Sequence, residues 1–176
     1  MRLTKFTLIF VCVWLAACQA SGLDTSQAAR FKLNTSAFED SGLIPRKYTC
    51  QGNNVSPDLS WSGFPANTQS FALIVEDPDA PGGTFTHWVL FDLPASTTQL
   101  AEGAAPLGVG GNNGIGRTGY MGPCPPSGLH RYYFRLYALD VPSLNLKAGA
   151  SRGEVETAMK GHVIGTADTM GRYEQQ

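Results

Sequence analysis

Three segments between residues 31 and 139 have the lengths and patterns of buried β-strands. Residues 70–76 (SFALIVE) form an apolar run rich in β-branched side chains, and residues 86–93 (THWVLFDL) form another that stops at Pro94. Residues 131–139 (RYYFRLYAL) alternate instead, which is typical of a half-buried strand. The apolar face of that strand would carry Tyr132, Phe134 and Leu136. These segments predict a mainly β fold.

The last 26 residues carry helical signals. Ser151-Arg152-Gly153-Glu154 has capping-box spacing, with Ser151 as the N-cap and Glu154 reaching back to it. We predict a second helix over residues 162–170, with Gly171 as its stop. The pattern as a whole predicts a β-sandwich with short C-terminal helices.

The amino-acid composition supports this prediction and excludes two classes of protein, disordered chains and basic nucleic-acid-binding proteins. The chain has 176 residues, of which 43% are hydrophobic and 10% aromatic, and its formal net charge is -1. A disordered chain would have fewer aromatic residues and a larger net charge. A protein that binds nucleic acid through bulk charge would be basic. Twenty glycines and 11 prolines favour many short strands joined by turns.

The N-terminal sequence resembles an export signal. Two basic residues, Arg2 and Lys5, precede an apolar run over residues 6–17, which is too short to span a bilayer comfortably. Leu15-Ala16-Ala17-Cys18 resembles the bacterial lipobox, in which the cysteine is acylated and becomes the mature N-terminus. An ordinary signal peptide with a chance cysteine is the alternative.

The lipobox divides the chain into three parts. We expect a signal peptide over residues 1–17, a lipidated tether over residues 18–30 and one domain over residues 31–176. Gln19 follows Cys18 in place of the aspartate that usually retains lipoproteins at the inner membrane. The resemblance therefore implies a cell-envelope protein on the periplasmic face of the outer membrane.

Two of the four cysteines would remain in the mature domain, where they could form a disulfide or stay as thiols. Cys12 would leave with the signal peptide and Cys18 would take lipid, which leaves Cys50 and Cys124. The oxidising compartment favours a disulfide between them. Two inert thiols, or a nucleophilic Cys124 near His130, are the alternatives.

Two histidines stand beside glycine- and proline-rich loops. His87 opens a strand after DPDAPGGTFT, and His130 opens another after GPCPPSGL. Loops of this kind could bring both histidines together with the carboxylates of Asp77 and Asp79. Two separate structural histidines are the alternative.

Several ordered motifs resemble one known family. The segments are Asp77-Pro78-Asp79-Ala80-Pro81, Phe85-x-His87-Trp88, Gly122-Pro123-Cys124-Pro125-Pro126 and Gly128-x-His130-Arg131-Tyr132. Together they resemble the phosphatidylethanolamine-binding protein family, and most closely its bacterial Raf-kinase-inhibitor-like branch. The resemblance covers roughly residues 31–173.

The resemblance implies a β-sandwich with a small anion pocket near one end. Its lining residues would be Asp77, His87, Gly122, Pro123, His130 and Tyr132. Asp77 would orient a histidine by accepting its second N–H, and His130 would stand at the pocket mouth. Phe85 occupies a position that is often Trp or Tyr in the family, and phenylalanine cannot make the hydrogen bond that those side chains can make. The family also implies a cis bond between Ala80 and Pro81.

Three functions fit these residues. The first is a non-enzymatic binding protein for phosphate-type or phospholipid-headgroup ligands, with the modulation of a partner protein as an added role. The second is a hydrolase that uses His87, His130 and Asp77 as acid and base, and the third binds a metal through the same trio. We favour the first, because no serine nucleophile motif occurs. It needs no cofactor, contacts the membrane only through its lipid, and leaves the natural ligand, the protein partner and homodimer formation open.

Overall fold

The computed structural model of this protein describes residues 23–103, 105 and 107–175. The predicted signal peptide, Cys18 and the first part of the predicted tether lie outside these residues. The strands and helices, in chain order, are β1 (Ala29–Arg30), β2 (Lys32–Asn34), a 3-10 helix (Arg46–Tyr48), β3 (Leu59–Ser62), β4 (Ser70–Asp77), β5 (Phe85–Pro94), β6 (Gln99–Leu100), β7 (Val109–Gly111), β8 (His130–Leu139), α1 (Arg152–Met159) and β9 (Val163–Tyr173).

The described strands form two sheets. The larger sheet has the order β1-β9-β8-β4-β5-β7, and the smaller has the order β2-β3-β6. All strand pairs are antiparallel except β1 with β9. The ladders pair Asp77 with Phe85, and His130 with Tyr173. One end of the larger sheet therefore collects the end of β4 and the beginnings of β5 and β8.

Strand β4 is buried along its whole length because both faces of the larger sheet are covered. Phe71, Leu73 and Val75 point into the core between the two sheets. The intervening Ala72 and Ile74 pack on the opposite face, in a second core with helix α1. A strand that is covered on both faces has apolar residues at consecutive positions of its sequence, which is why residues 70–76 show no alternation.

The mainly β prediction is confirmed. Each predicted strand occurs within one residue of its predicted bounds, and Tyr132, Phe134 and Leu136 of β8 all face the core between the sheets. The capping box is also present, since Ser151 accepts from the backbone N–H of Glu154 and the Glu154 side chain accepts from the backbone N–H of Ser151.

The predicted second C-terminal helix is wrong. Residues 163–173 form strand β9, which pairs with β8 over ten residue pairs. The stretch is rich in threonine and glycine, which are poor helix formers. Gly171 is not a helix stop but a buried strand residue on which Ile44 packs. The described part of the chain therefore has one C-terminal helix, α1.

The sheet begins before residue 31. Ala29 and Arg30 pair in parallel with Gly165 and Thr166 of β9, so the last two residues of the predicted tether belong to the sheet. Leu23 packs on the core beneath helix α1. No helix among the described residues is long and apolar enough to cross a membrane.

The final two residues of β4 are carboxylates that face opposite sides of the sheet. Glu76 is 5% exposed and lies on the helix side, where Arg135 and Arg152 each approach its carboxylate to 2.7 Å. Asp77 is 3% exposed and points to the other side. This alternation follows from the two-residue period of a strand.

Two glycines provide a matched test of the C-terminal structure. A Cβ at Gly171 would lie 2.4 Å from Ile44 Cγ1, whereas a Cβ at Gly153 in helix α1 would meet nothing within 4 Å. We expect Gly171→Ala to lower the free energy of unfolding by about 1–3 kcal/mol through overpacking. Gly153→Ala should raise it by up to about 1 kcal/mol, because alanine is the better helix former. Chemical denaturation measures both, and a harmless Gly171→Ala would contradict the position of β9.

Candidate functional site

A buried carboxylate and a buried histidine meet at the end of the larger sheet. The Nδ1–H of His130 donates to Asp77 Oδ2 at 2.7 Å, and the two side chains are 9% and 4% exposed. His130 is therefore buried and does not stand at an open mouth, contrary to the sequence-based expectation. The contact fixes the ring orientation and places a hydrogen on Nδ1 of His130.

The turn after β4 is held by its own acidic residues. The backbone N–H of Asp79 donates to Asp77 Oδ1 at 2.8 Å. Arg131 binds the Asp79 carboxylate with two side-chain donors and its backbone N–H, which lowers the pKa of Asp79 to about 2. The start of the turn is therefore held, through Asp79, to the end of β4 and to the second residue of β8.

The predicted cis bond between Ala80 and Pro81 is wrong, because this bond is trans. The backbone N–H of Gly83 donates to the carbonyl of Ala80 at 3.0 Å, which makes Pro81 the second residue of a β-turn. The fixed φ of a trans proline suits that position, whereas a cis proline belongs at the third.

His87 is oriented by the backbone of a neighbouring loop. Its Nδ1 lies 2.7 Å from the carbonyl of Met121, which can only accept, so Nδ1 carries a hydrogen. The ring packs edge-on between Phe85 and Tyr132, with centroid distances of 5.0 and 5.2 Å. In the neutral tautomer, Nε2 of His87 therefore holds a lone pair.

Burial lowers the pKa of His87 from its ordinary value of 6.5. The carbonyl of Met121, the Asp77 carboxylate and the backbone of Gly122 oppose this shift. Burial also raises the pKa of Tyr132, and the Asp77 carboxylate raises it further. The Tyr132 hydroxyl has no hydrogen-bond partner among the described residues.

A second loop, which contains Gly122, Pro123 and Cys124, is attached to residues that follow the 3-10 helix. Cys50 and Cys124 form a disulfide, and the backbone N–H of Cys50 donates to the carbonyl of Pro123 at 3.1 Å. The side chain of Asn54 accepts from the N–H of Gly122 at 2.8 Å. The predicted pairing is therefore present, and neither Cys50 nor Cys124 is a free thiol.

A cavity of about 320 Å³ lies between the two loops at this end of the sheet and opens to solvent. Its polar lining consists of Asp77, Thr84 and His87. Its apolar lining consists of Ala80, Pro81, Phe85, Met121, Pro125 and Pro126, and Cys124, Gly82 and Gly83 complete the wall.

The six predicted site residues fall into three groups. Asp77 and His87 line the cavity. His130 lies behind Asp77, and Tyr132 behind His87, each in direct contact with the residue in front of it. Gly122 and Pro123 are buried in the loop between the lining residues Met121 and Cys124. The structure thus brings the predicted set together at one place.

Three contributors were not predicted from the sequence. They are the Met121 carbonyl, the Asn54 side chain and the ion pair of Arg131 with Asp79. Only the ion pair has a sequence signal, since Arg131 directly follows His130 and Asp79 lies two residues after Asp77. Among the described residues, no three His, Cys, Asp or Glu side chains are placed to hold a metal ion, so the geometry gives the metal hypothesis no support.

Comparison with known proteins gives one consistent result. The sequence profile described as "Phosphatidylethanolamine-binding protein" matches residues 34–174. A UPF0098 protein of Methanothermobacter thermautotrophicus is 52% identical over 147 residues, which is 80% of this chain and 97% of the relative. A UPF0098 protein of Chlamydia muridarum is 46% identical over 149 residues, or 82% of this chain and 99% of the relative.

Two crystal structures share the fold. One is described as a PEBP homologue from Chlamydia trachomatis; it is 44% identical with a TM-score of 0.81, and the match covers 85% of this chain and all of that one. The other is YbcL of E. coli, described as a member of the mammalian PEBP family; it is 33% identical with a TM-score of 0.79, covering 84% of this chain and all of that one.

The lowered pKa of His87 predicts a pH dependence of stability. Below pH 6.5 the unfolded chain binds a proton at this residue while the folded protein still excludes it. We expect the free energy of unfolding to fall as the pH decreases below 6.5, and His87→Gln to remove part of this fall. Denaturant titrations between pH 5 and 8 measure it, with the half-exposed His162→Gln as control. Equal pH dependence in wild type and His87→Gln would contradict the assignment.

Proposed function

The chain belongs to the phosphatidylethanolamine-binding protein family, and on that basis we propose that its end-of-sheet cavity binds small anions such as phosphate groups or phospholipid headgroups. Members of this family are generally binding proteins without enzymatic activity. The observation that carries the proposal is the cluster of Asp77, His87 and His130. All three side chains are buried, Asp77 and His87 line the cavity, and His130 lies behind Asp77.

The cluster can gain a positive charge when His87 takes up a proton. Asp77 accepts a hydrogen bond from Nδ1 of His130 and so fixes the orientation of that ring. His87 is neutral at ordinary pH, but its Nε2 becomes a donor when it takes a proton. An anion entering the cavity would stabilise that protonated ring, so anion binding and proton uptake should be coupled.

The hydrolase alternative lacks a nucleophile at this site. Cys124 lines the cavity but is bonded to Cys50, and Thr84 has no histidine hydrogen-bonded to its hydroxyl. A nucleophile needs a base within hydrogen-bonding distance to activate it. We therefore propose binding without catalysis, with the control of a partner protein as the use of that binding.

We also propose that the protein is a lipoprotein of the cell envelope. The proposal rests on the lipobox of residues 15–18 and on a signal-like N-terminus. The disulfide supports it, because disulfides persist in oxidising compartments such as the periplasm. Acylation at Cys18 would hold the domain at the periplasmic face of the outer membrane.

Sulfate provides a clean test of the anion site, because it keeps its charge over the pH range in which histidine titrates. We expect calorimetric titration to show sulfate affinity falling by up to about tenfold per pH unit between pH 6 and 8, as expected for uptake of one proton. Inorganic phosphate should bind with the same partners. His87→Ala should weaken both anions at pH 6.

A second variant keeps the fold while removing the charge. His130→Asn retains a donor near the position of Nδ1 for Asp77 but cannot become cationic. Truncation to alanine would instead leave Asp77 as a buried unpaired charge, which costs about 3–5 kcal/mol of stability. We expect His130→Asn to fold and to bind sulfate more weakly. Unchanged affinity in both the His87 and His130 variants would move the anion site elsewhere.

Detergent partitioning tests the lipid anchor. We expect wild-type protein expressed in a bacterium with a lipoprotein pathway to enter the detergent phase, since acyl chains contribute about 0.8 kcal/mol per buried methylene. Cys18→Ser should remain uncleaved or without lipid. Detergent partitioning by a mature, acyl-free Cys18→Ser protein would contradict the anchor.

A further inference from the structure

We propose that a cavity on the helix side of the larger sheet is a second binding site, and that it takes a zwitterionic ligand of the size of a di- or tripeptide, with one free carboxylate and one free ammonium group. This helix-side cavity has a volume of about 630 Å³. Glu76 and Asp77, neighbours in β4, each line one of the two cavities on opposite sides of the sheet. The proposal is therefore independent of the ligand of the end-of-sheet cavity.

The charged groups that line the helix-side cavity balance each other. Each of its three arginines contacts one or two of its three carboxylates. The six residues are Arg30, Arg135, Arg152, Glu76, Glu156 and Asp168. A balanced lining attracts neither a simple anion nor a simple cation by net charge. A ligand with one charge of each sign can pair with both kinds of side chain, which gives the electrostatic complementarity on which specific binding depends.

Two of the arginines keep donors for a carboxylate. Nε of Arg135 donates to Oε1 of the buried Glu76 at 2.7 Å. Nε of Arg152 donates to Oε1 of Glu156, while its Nη1 lies 2.7 Å from Oε2 of Glu76 without making a hydrogen bond to it. The terminal amino groups of both arginines therefore remain available. They lie close together, because both arginines contact the same carboxylate, and paired N–H donors of this kind match a carboxylate.

These donors are held in place by strand β8. The guanidinium of Arg135 lies over the ring of Tyr133, 4.7 Å from its centroid. Tyr137 is on the same face of β8, lines the helix-side cavity, and donates no hydrogen bond to another described residue. Burial raises the pKa of Tyr137 to about 12, so its hydroxyl keeps its hydrogen at ordinary pH. This hydroxyl is a neutral donor beside the two arginines.

Two carboxylate oxygens remain for the ammonium group. Glu156 uses Oε1 to pair with Arg152, and Asp168 uses Oδ1 to pair with Arg30. The other oxygen of each has no hydrogen-bond partner in the described part of the chain. The side chains of Glu156 and Asp168 are 24% and 32% exposed. A charge pair formed there is screened less by salt than one on an open surface.

The volume sets the length of the ligand. Since one water occupies about 30 Å³ in the liquid, a cavity of about 630 Å³ has room for roughly twenty non-hydrogen atoms. Tri-alanine would fill most of this space, whereas a free amino acid such as glycine would leave most of it to water. The apolar side chains of Leu23 and Ala167 also line the cavity and would contact the methyl groups of such a peptide.

Calorimetric titration of the full-length protein at pH 7 tests the ligand class, because a peptide then carries both of its terminal charges. We expect tri-alanine to bind at least tenfold more tightly than N-acetyl-tri-alanine, which has no ammonium group. It should also bind at least tenfold more tightly than tri-alanine amide, which has no carboxylate. The loss of a hydrogen bond to a charged group corresponds to roughly a ten- to hundredfold loss of affinity.

Two conservative variants test the position of the site. Arg135→Lys keeps a positive charge beside Glu76 but removes the terminal amino groups, so it should weaken tri-alanine about tenfold. Tyr137→Phe keeps the ring and removes the hydroxyl, and should weaken tri-alanine several-fold. The matched control is Arg172→Lys, which makes the same substitution at an exposed residue of β9 outside the cavity and should leave the affinity unchanged.

The outcomes separate this proposal from the anion site. If a capped peptide binds as tightly as tri-alanine, or if no form binds, the zwitterion site is overturned, and the sulfate titrations still decide the anion site. If His87→Ala weakens tri-alanine and Arg135→Lys does not, the peptide binds in the end-of-sheet cavity and the proposal is wrong. Should Arg135→Lys fail to fold, an unchanged affinity in Tyr137→Phe overturns it.

Discussion

A buried negative charge at the last residue of β4 organises the functional end of this protein. Taking a carboxylate out of water costs several kcal/mol unless its oxygens are paired. Asp77 meets this requirement with the imidazole of His130 and the backbone N–H of Asp79. Those two contacts position the start of β8 and the turn that leaves β4. The cavity is the space that remains between that turn and the disulfide-bonded loop.

Much of the fold could be predicted because its central strands have strong local signals. The alternation along β8 identifies its core face, and the apolar runs of β4 and β5 match strands that are covered on both sides. β9 could not be recognised in the same way. Its core-facing positions include Gly165 and Gly171, where neighbouring side chains fill the space that a side chain would occupy. In the sequence alone, a glycine that makes room for a neighbouring side chain cannot be distinguished from a glycine that ends a helix.

The candidate site was predictable to the extent that its side chains stand at strand ends. Asp77, His87 and His130 could be grouped because loops join the strands that carry them. The partner of His87 could not, because a main-chain carbonyl such as that of Met121 is present in every residue and has no residue-type signal. The contact of Asn54 with Gly122 depends on two loops that are 68 residues apart in sequence. The burial of His130 likewise depends on the packing of complete loops around it.

The opposite orientation of Glu76 and Asp77 has a consequence for how this sequence can vary. Each carboxylate is matched to its own partners, arginines on the helix side and a histidine on the cavity side. Inserting or deleting one residue in β4 would exchange the two faces, because a strand turns over every side chain when its register moves by one. Both charges would then be buried without partners. Insertions and deletions in sequences that evolve from this one should therefore accumulate in the loops and be eliminated by selection in β4.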